Sequence, residues 1–327
     1  MLPSIESRIH SQLLDRRKKI ERALAEVGQR EHLASLLREV DVALEKISKG
    51  SYGVCETCHG SIETERLLAD PLCRNCLEHL TVTERKALES DLDLAYQIQA
   101  ALLPKRNLDV KGWTIAHHYD PAGPVSGDYF DLIPAPNDPG SVYFLVGDVS
   151  GKGVAASMLM SHLHALFRSL VLLKLPVDLL LERANMIFSE GTLSTHYATL
   201  VCGRATATGW VEICNAGHCP PLLLTKDGVR RIGPTGLPIG VFAHSRYEVE
   251  TLEVHSGDKF LLYTDGLTES RDRSDQEYGE QRLISFVATK RGLAPQELID
   301  ASLKDLAAFR SDTPKPDDLT IMALQRE

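Results

Sequence analysis

The chain lacks any excess of positive charge: 36 Lys and Arg stand against 45 Asp and Glu, for a net charge of −9. Nucleic acids and anionic membranes attract a positive field, so neither is expected as a direct partner. Long apolar runs are also missing. The longest, Leu170 to Leu181, is broken by Lys174, Pro176 and Asp178, short of the roughly 20 residues that span a bilayer. Met1 to Glu6 carries no basic start leading into an apolar stretch, which argues against export and makes a cytoplasmic protein the expectation. No internal repeat or low-complexity tract is present. What is there, 43% apolar and 25% charged residues, is the composition of a globular chain able to bury a core. At roughly 150 residues per domain, a length of 327 predicts two domains, or one large domain with an appendage.

Glycine and proline are scarce in residues 1–49, which hold only Pro3 and Gly28. Leu33, Leu37, Val40, Leu44 and Ile47 recur at coiled-coil intervals, and Ile9, Leu13, Ile20, Leu24 and Val27 form a looser stripe. With a turn at Gly28 and Gln29, residues 1–49 read as an antiparallel helical hairpin. Residues 50–80 change character at Gly50 and Gly53. Residues 81–104 form a connecting helix, with Leu88, Leu92, Ala95 and Leu102 on one face and Pro104 at its end. That face and the hairpin predict a homodimer through the N-terminal helices; a solvated single helix is the alternative.

Residues 105–327 alternate short apolar runs with Gly, Pro, Asn and Asp, as strands and turns do. Strands are expected at Trp113–Tyr119, Val142–Val146, Tyr197–Cys202, Val211–Cys214, Lys259–Tyr263 and Leu319–Ala323. Helices are expected at Ala155–Leu173, Val177–Ser189 and Pro295–Phe309. Helices placed side by side among antiparallel strands give an α+β domain.

Seven cysteines form an odd count, which disfavours a disulfide framework. Four of them make two knuckles, Cys55-Glu-Thr-Cys58 and Cys73-Arg-Asn-Cys76, with 14 residues between. Two CxxC pairs at this distance can close on one tetrahedral zinc, whose binding supplies folding energy that a short segment lacks. Four thiolates leave no open position, so the expected zinc is structural and His59 is superfluous as a ligand. The stretch from Tyr52 through Cys55, Cys58, Ile62 and Arg66 to Leu67 resembles the zinc finger of DksA/TraR-type RNA polymerase regulators, and the hairpin before it fits. The resemblance implies an alternative function, a polymerase-binding regulator that keeps its C-terminal domain as a scaffold.

Five aspartates stand at turns or strand ends: Asp128 in Ser-Gly-Asp-Tyr-Phe-Asp131, Asp148 in Gly147-Asp-Val-Ser-Gly-Lys-Gly153, Asp265 in Tyr263-Thr-Asp-Gly-Leu-Thr-Glu269, and Asp317 with Asp318. Singly, each is ordinary turn chemistry. Collected, they suit hard cations such as magnesium or manganese. The Gly147–Gly153 loop could instead cradle phosphate, but Gly153 and Val154 follow Lys152, so the P-loop pattern is absent.

These motifs, with Gln97-Ile-Gln-Ala-Ala-Leu-Leu-Pro104, Asn215-Ala-Gly-His-Cys-Pro-Pro221 and Gly236-Leu-Pro-Ile-Gly240, resemble the PPM-type metal-dependent serine/threonine phosphatases of the SpoIIE/RsbU-like branch. The resemblance implies an α-β-β-α sandwich and two Mn2+ or Mg2+ ions. Asp148 would bridge the ions, the Val149 carbonyl would contact one, Asp265 and Asp317 would complete the first, and Asp128 would hold the other. Asp318 stays open as a further ligand. A water activated by both ions would attack phosphoserine or phosphothreonine with Asp148, Asp265 and Asp317 as the catalytic set. A phosphorylated protein of the STAS anti-sigma-antagonist type is the implied partner, and a small phosphoester is the other substrate class. No nucleophilic thiol is needed: Cys202, Cys214 and Cys219 lie outside any CxxxxxR loop. His218 is either an acid or a turn-stabilising residue.

Overall fold

The computed structural model describes all residues except 1, 2, 27–29, 105–109, 137, 139, 194, 312, 314 and 316. The expected turn at Gly28 and Gln29 lies outside the described residues. The chain divides into two compact units, Met1–Asp91 and Leu92–Glu327.

In the first unit, α1 (Pro3–Glu26) and α2 (Arg30–Ser48) form the hairpin. Both apolar stripes meet in its core, where Ile9, Leu13, Ile20 and Val40 are buried and Leu24, Leu33, Leu37, Leu44 and Ile47 pack against them. The ion pair between Arg17 and Asp41, at 2.9 Å, crosses from one helix to the other. Gly50 and Gly53 take left-handed backbone angles of +66° and +79° that end the helix and turn the chain. A short helix, α3 (Thr64–Ala69), follows, and α4 (Val82–Leu102) runs across the boundary between units.

The described residues of the second unit form ten strands: β1 (Trp113–Asp120), β2 (Asp128–Pro134), β3 (Ser141–Val149), β4 (Ala198–Thr206), β5 (Trp210–Ala216), β6 (Leu222–Thr225), β7 (Gly228–Arg231), β8 (Glu250–Glu253), β9 (Lys259–Tyr263) and β10 (Leu319–Arg326). They form two antiparallel sheets, β1-β10-β9-β6-β7 and β2-β3-β4-β5-β8. Side chains alternate across each strand, which sorts the core into layers. Val142, Phe144 and Val146 of β3 meet Phe260, Leu262, Met322 and Leu324 between the sheets. The intervening Tyr143 and Leu145 face helices α5 (Gly153–Leu170) and α6 (Val177–Gly191). On the far side, Leu261, Tyr263, Ile321 and Ala323 pack on α8 (Glu280–Thr289) and α9 (Pro295–Arg310). The result is a mixed α/β domain layered α-β-β-α.

Two expectations need correction. The stretch Gly153–Leu173 is long and apolar enough, by length and composition, to cross a bilayer, and it is the one such helix among the described residues. Here it is a core helix, since Ala156, Met160, Leu163 and Phe167 pack on the sheet. The motif around Asp128, outside the expected strands, forms β2, with Asp128 at its start and both Asp128 and Asp131 buried.

Candidate metal-dependent active site

Asp128 and Asp148 are direct partners across the antiparallel β2–β3 pair. They share the face that carries Phe130 and Val146 into the space between sheets, so two carboxylates close one end of the apolar sandwich. The opposite sheet answers them with hydroxyls. Thr264 and Thr320 donate to the same oxygen of Asp128, Oδ2, at 2.9 Å and 2.5 Å. Those threonines lie in the Thr-Asp-Gly and Asp-Asp-Leu-Thr motifs, which bring the remaining carboxylates with them.

Asp265 opens the four-residue helix α7 (Asp265–Thr268) and so stands just beyond β9. Gly266 is required next to it, because a Cβ there would lie 1.9 Å from the carbonyl oxygen of Asp318. The two backbones touch, which places Asp265 beside the Asp317–Asp318 segment. Asp317 and Asp318, indistinguishable by spacing, have different environments. Asp318 accepts the backbone N–H of Ala122 at 2.6 Å and of Gly127 at 3.0 Å, one on each oxygen, and so anchors the loop before Asp128. Asp317 accepts the N–H of Asp318 on one oxygen and the Lys152 ammonium, at 3.0 Å, on the other.

The electrostatics are those of crowded acids. Burial, then the neighbouring Asp265, Asp317 and Asp318, push the Asp148 carboxyl up to about 7. Burial and Asp148 hold Asp128 well above the ordinary carboxylate range. Burial, Glu269 and Asp317 raise Asp265. Oxygen donors that hold their protons this tightly suit hard divalent cations, which would offset the repulsion. The Val149 carbonyl lies at the same place: a Cβ on Gly127 would sit 3.1 Å from it and 3.2 Å from Asp148 Oδ1.

A polar side chain of the Gln97–Pro104 motif supports this end of the sandwich. Gln99 of α4 is buried, donates to the Ser126 carbonyl at 2.7 Å and accepts the Ser126 N–H at 3.0 Å. It lies on the same helical stripe as Leu92, Ala95 and Leu102, but counts as polar in any apolar periodicity. His218 lies in the turn that follows β5. It is buried, burial pushes it down to about 4, its N–H donates to Asn215 Oδ1 at 2.8 Å, and its Nδ1 meets Thr199 Oγ1 at 2.8 Å. Cys202 and Cys214 face each other across β4 and β5 as free buried thiols. Burial pushes Cys214 and Cys219 up to about 12 and Cys202 well above its usual value, so none is a thiolate near neutral pH.

In the first unit three of the four expected cysteines come together, with a histidine beside them. Ligand atoms of Cys55, Cys58, Cys76 and His79 all lie within 4.8 Å of one another, and this is the one such group among the described residues. His79 Nδ1 is 3.2 Å from Cys76 Sγ, because a single 3-10 turn, Leu77–His79, follows that cysteine. Cys73 is not in that group; its Sγ lies 2.6 Å from Arg66 Nε, on α3, and 3.1 Å from the Asn75 carbonyl. Three sulfurs and one imidazole nitrogen remain a suitable tetrahedral donor set for zinc.

Comparison with known proteins places the larger unit. The family described as stage II sporulation protein E (SpoIIE) matches residues 138–327. That span includes Asp148, Asp265, Asp317 and Asp318, whereas Asp128 precedes it. The chain is 27% identical to protein IcfG of Synechocystis over 265 residues, covering 72% of this chain and 41% of IcfG. It is 24% identical to the phosphoserine phosphatase RsbU of Bacillus subtilis over 261 residues, covering 76% of this chain and 74% of RsbU. Among solved structures, the RsbU and RsbW domains of a Mycobacterium tuberculosis protein superpose with a TM-score of 0.56 at 30% identity, over 69% of this chain and 62% of that one. The chain thus spans less than half of IcfG and about three quarters of RsbU.

Proposed function

Because the chain belongs to the SpoIIE family and carries a PPM-type phosphatase domain, we propose that it removes phosphate from phosphoserine or phosphothreonine in a protein, with two hard divalent cations. The observation that carries this reading is the meeting of Asp128 and Asp148 from one sheet with the acids that follow β9 and precede β10 of the other. The donor set fits Mg2+ or Mn2+: oxygens from Asp148, Asp265, Asp317 and Asp128, with the Val149 carbonyl, and no sulfur or imidazole. When bound, such a pair supplies positive charge for the transferring phosphoryl group and lowers the pKa of a water molecule.

The chain's own residues hold that arrangement. Asp148, crowded by Asp265, Asp317 and Asp318, would hold the ions together with them. Thr264 and Thr320 fix one oxygen of Asp128 and leave the other for a ligand. Asp318, with both oxygens on backbone N–H groups, acts as the anchor of the loop at Ala122–Gly127. Burial keeps the thiols of the second unit, Cys202, Cys214 and Cys219, protonated near neutral pH, which disfavours a covalent phosphoenzyme on cysteine.

The SpoIIE/RsbU-like resemblance points to a phosphorylated STAS-type protein as the substrate, met in the cytoplasm. Zinc on Cys55, Cys58, Cys76 and His79 would hold the first unit together as a regulatory module. The predicted face of Leu88, Leu92, Ala95 and Leu102 leaves only Leu88 exposed; the exposed Leu94 and Ile98, one turn apart on α4, support pairing with a second copy. A polymerase-binding regulator with an inert C-terminal domain leaves the carboxylate array without a purpose. The test is manganese-dependent phosphate release from a phosphoserine peptide. Wild type should turn over, and Asp148→Asn should lose at least about a hundredfold in rate; equal rates would overturn the reading.

A further inference from the structure

Lys152 belongs to the loop that joins β3 to α5, and the loop is built to present it. Gly151 and Gly153 on either side adopt left-handed angles of +98° and +70°, with nothing within 4 Å of where a Cβ would stand. The glycines are therefore needed for the turn and not for space. Just before them Ser150 is clamped: its N–H donates to the Tyr197 carbonyl at 2.9 Å, and its Oγ accepts the Tyr197 N–H at 2.9 Å. After them α5 begins at Gly153. A flexible side chain thus springs from a fixed backbone, and its ammonium reaches Asp317 at 3.0 Å.

A site made of carboxylates repels a phosphate dianion, and two divalent cations offset little more than the acids that bind them. The ammonium is positioned to change that balance. Its hold on Asp317 is weak in net terms, since the two side chains are 71% and 40% exposed, and exposed pairs contribute at most about 1 kcal/mol. An ion taking Asp317 as a ligand would therefore break that pair at little cost, and the tether keeps the ammonium beside the acids. Resting on the phosphatase reading, we propose that Lys152 is the cation that binds the phosphoryl oxygens of the substrate, exchanging Asp317 for phosphate when the metal site fills. A lysine suits this task as a mobile point charge with three donors.

The test uses the full chain with Mn2+ and two variants, Lys152→Gln and Lys152→Arg. Calorimetry measures inorganic phosphate binding to the manganese-loaded protein and, separately, Mn2+ binding without phosphate. Steady-state kinetics on a phosphoserine peptide give KM and kcat. In Lys152→Gln, phosphate affinity should fall about tenfold and KM rise by a similar factor, with Mn2+ affinity undiminished; Lys152→Arg should restore phosphate binding. Unchanged phosphate affinity and KM in Lys152→Gln would overturn the proposal, as would weaker Mn2+ binding that accounts for the whole effect. If wild type binds phosphate through Lys152 but releases none from peptides, the phosphatase reading fails and this assignment stands.

Discussion

Replacing Gly266 by Ala should damage the site without touching a carboxylate. The new Cβ would start 1.9 Å from the Asp318 carbonyl oxygen, where ordinary contacts begin at 3.4 Å, so the two backbones must part by about 1.5 Å. Neither atom is the end of a side chain that could rotate away. Overpacking of this kind costs about 1–3 kcal/mol of stability. The functional effect should be larger, because the separation acts between Asp265 and the Asp317–Asp318 segment, and a misplacement of about 1 Å can cost about a hundredfold in rate. Urea unfolding, Mn2+ calorimetry and phosphate release would be read together. Gly233→Ala is the control, since nothing lies within 4 Å of its added methyl and its backbone angle is ordinary. A Gly266→Ala protein that unfolds, binds Mn2+ and turns over like wild type would refute the packing of α7 against the segment before β10.

Arg168→Met strands a fully buried carboxylate, because Arg168 makes two bonds of 2.9 Å and 2.8 Å to Asp131. It should lower stability by about 3 kcal/mol in urea titrations, with Asp131→Asn recovering part of the loss. Gln99→Met unpairs both backbone groups of Ser126 in a buried place and should cost about 2 kcal/mol while weakening Mn2+ binding; a neutral effect on both would show that Gln99 does not hold the loop. His218 titrates near 6.5 in the unfolded chain and is pushed down to about 4 when folded. The unfolded state therefore binds the proton more tightly, and this contribution, present above 6.5, is lost as pH falls toward 4. Unfolding free energy should drop by up to about 3 kcal/mol over that window, and the drop should flatten in His218→Gln. Zinc retention against a chelator should fall in His79→Ala and persist in Cys73→Ala; the reverse pattern would restore the four-cysteine set.

Much of the larger unit was legible from its alternation. Val142–Val146, Lys259–Tyr263 and Leu319–Ala323 all lie within observed strands, because their apolar residues are buried on both faces by helices and by the second sheet. β2 was hidden for an electrostatic reason. Asp128 and Asp131 break the apolar pattern of a strand, whereas tertiary partners absent from local sequence, Thr264, Thr320 and Arg168, satisfy them inside one. The short α7 was hidden because a four-residue helix has no periodicity to detect. The acids of the site were visible as motifs, but their division of labour was not: only folding shows Asp318 committed to backbone N–H groups and Asp317 turned to Lys152. The nearness of His79 to Cys76 was hidden for a similar reason, since it depends on one tight turn. Its spacing of three residues from Cys76 was the available signal.

The most direct test of the account is anomalous diffraction at the manganese edge from crystals of the full chain grown with Mn2+. The account predicts two peaks between the sheets, both touching Asp148, with Asp265 and Asp317 on one and Asp128 on the other side. Density free of manganese at that end of the sandwich, in protein that is otherwise well ordered, would contradict it.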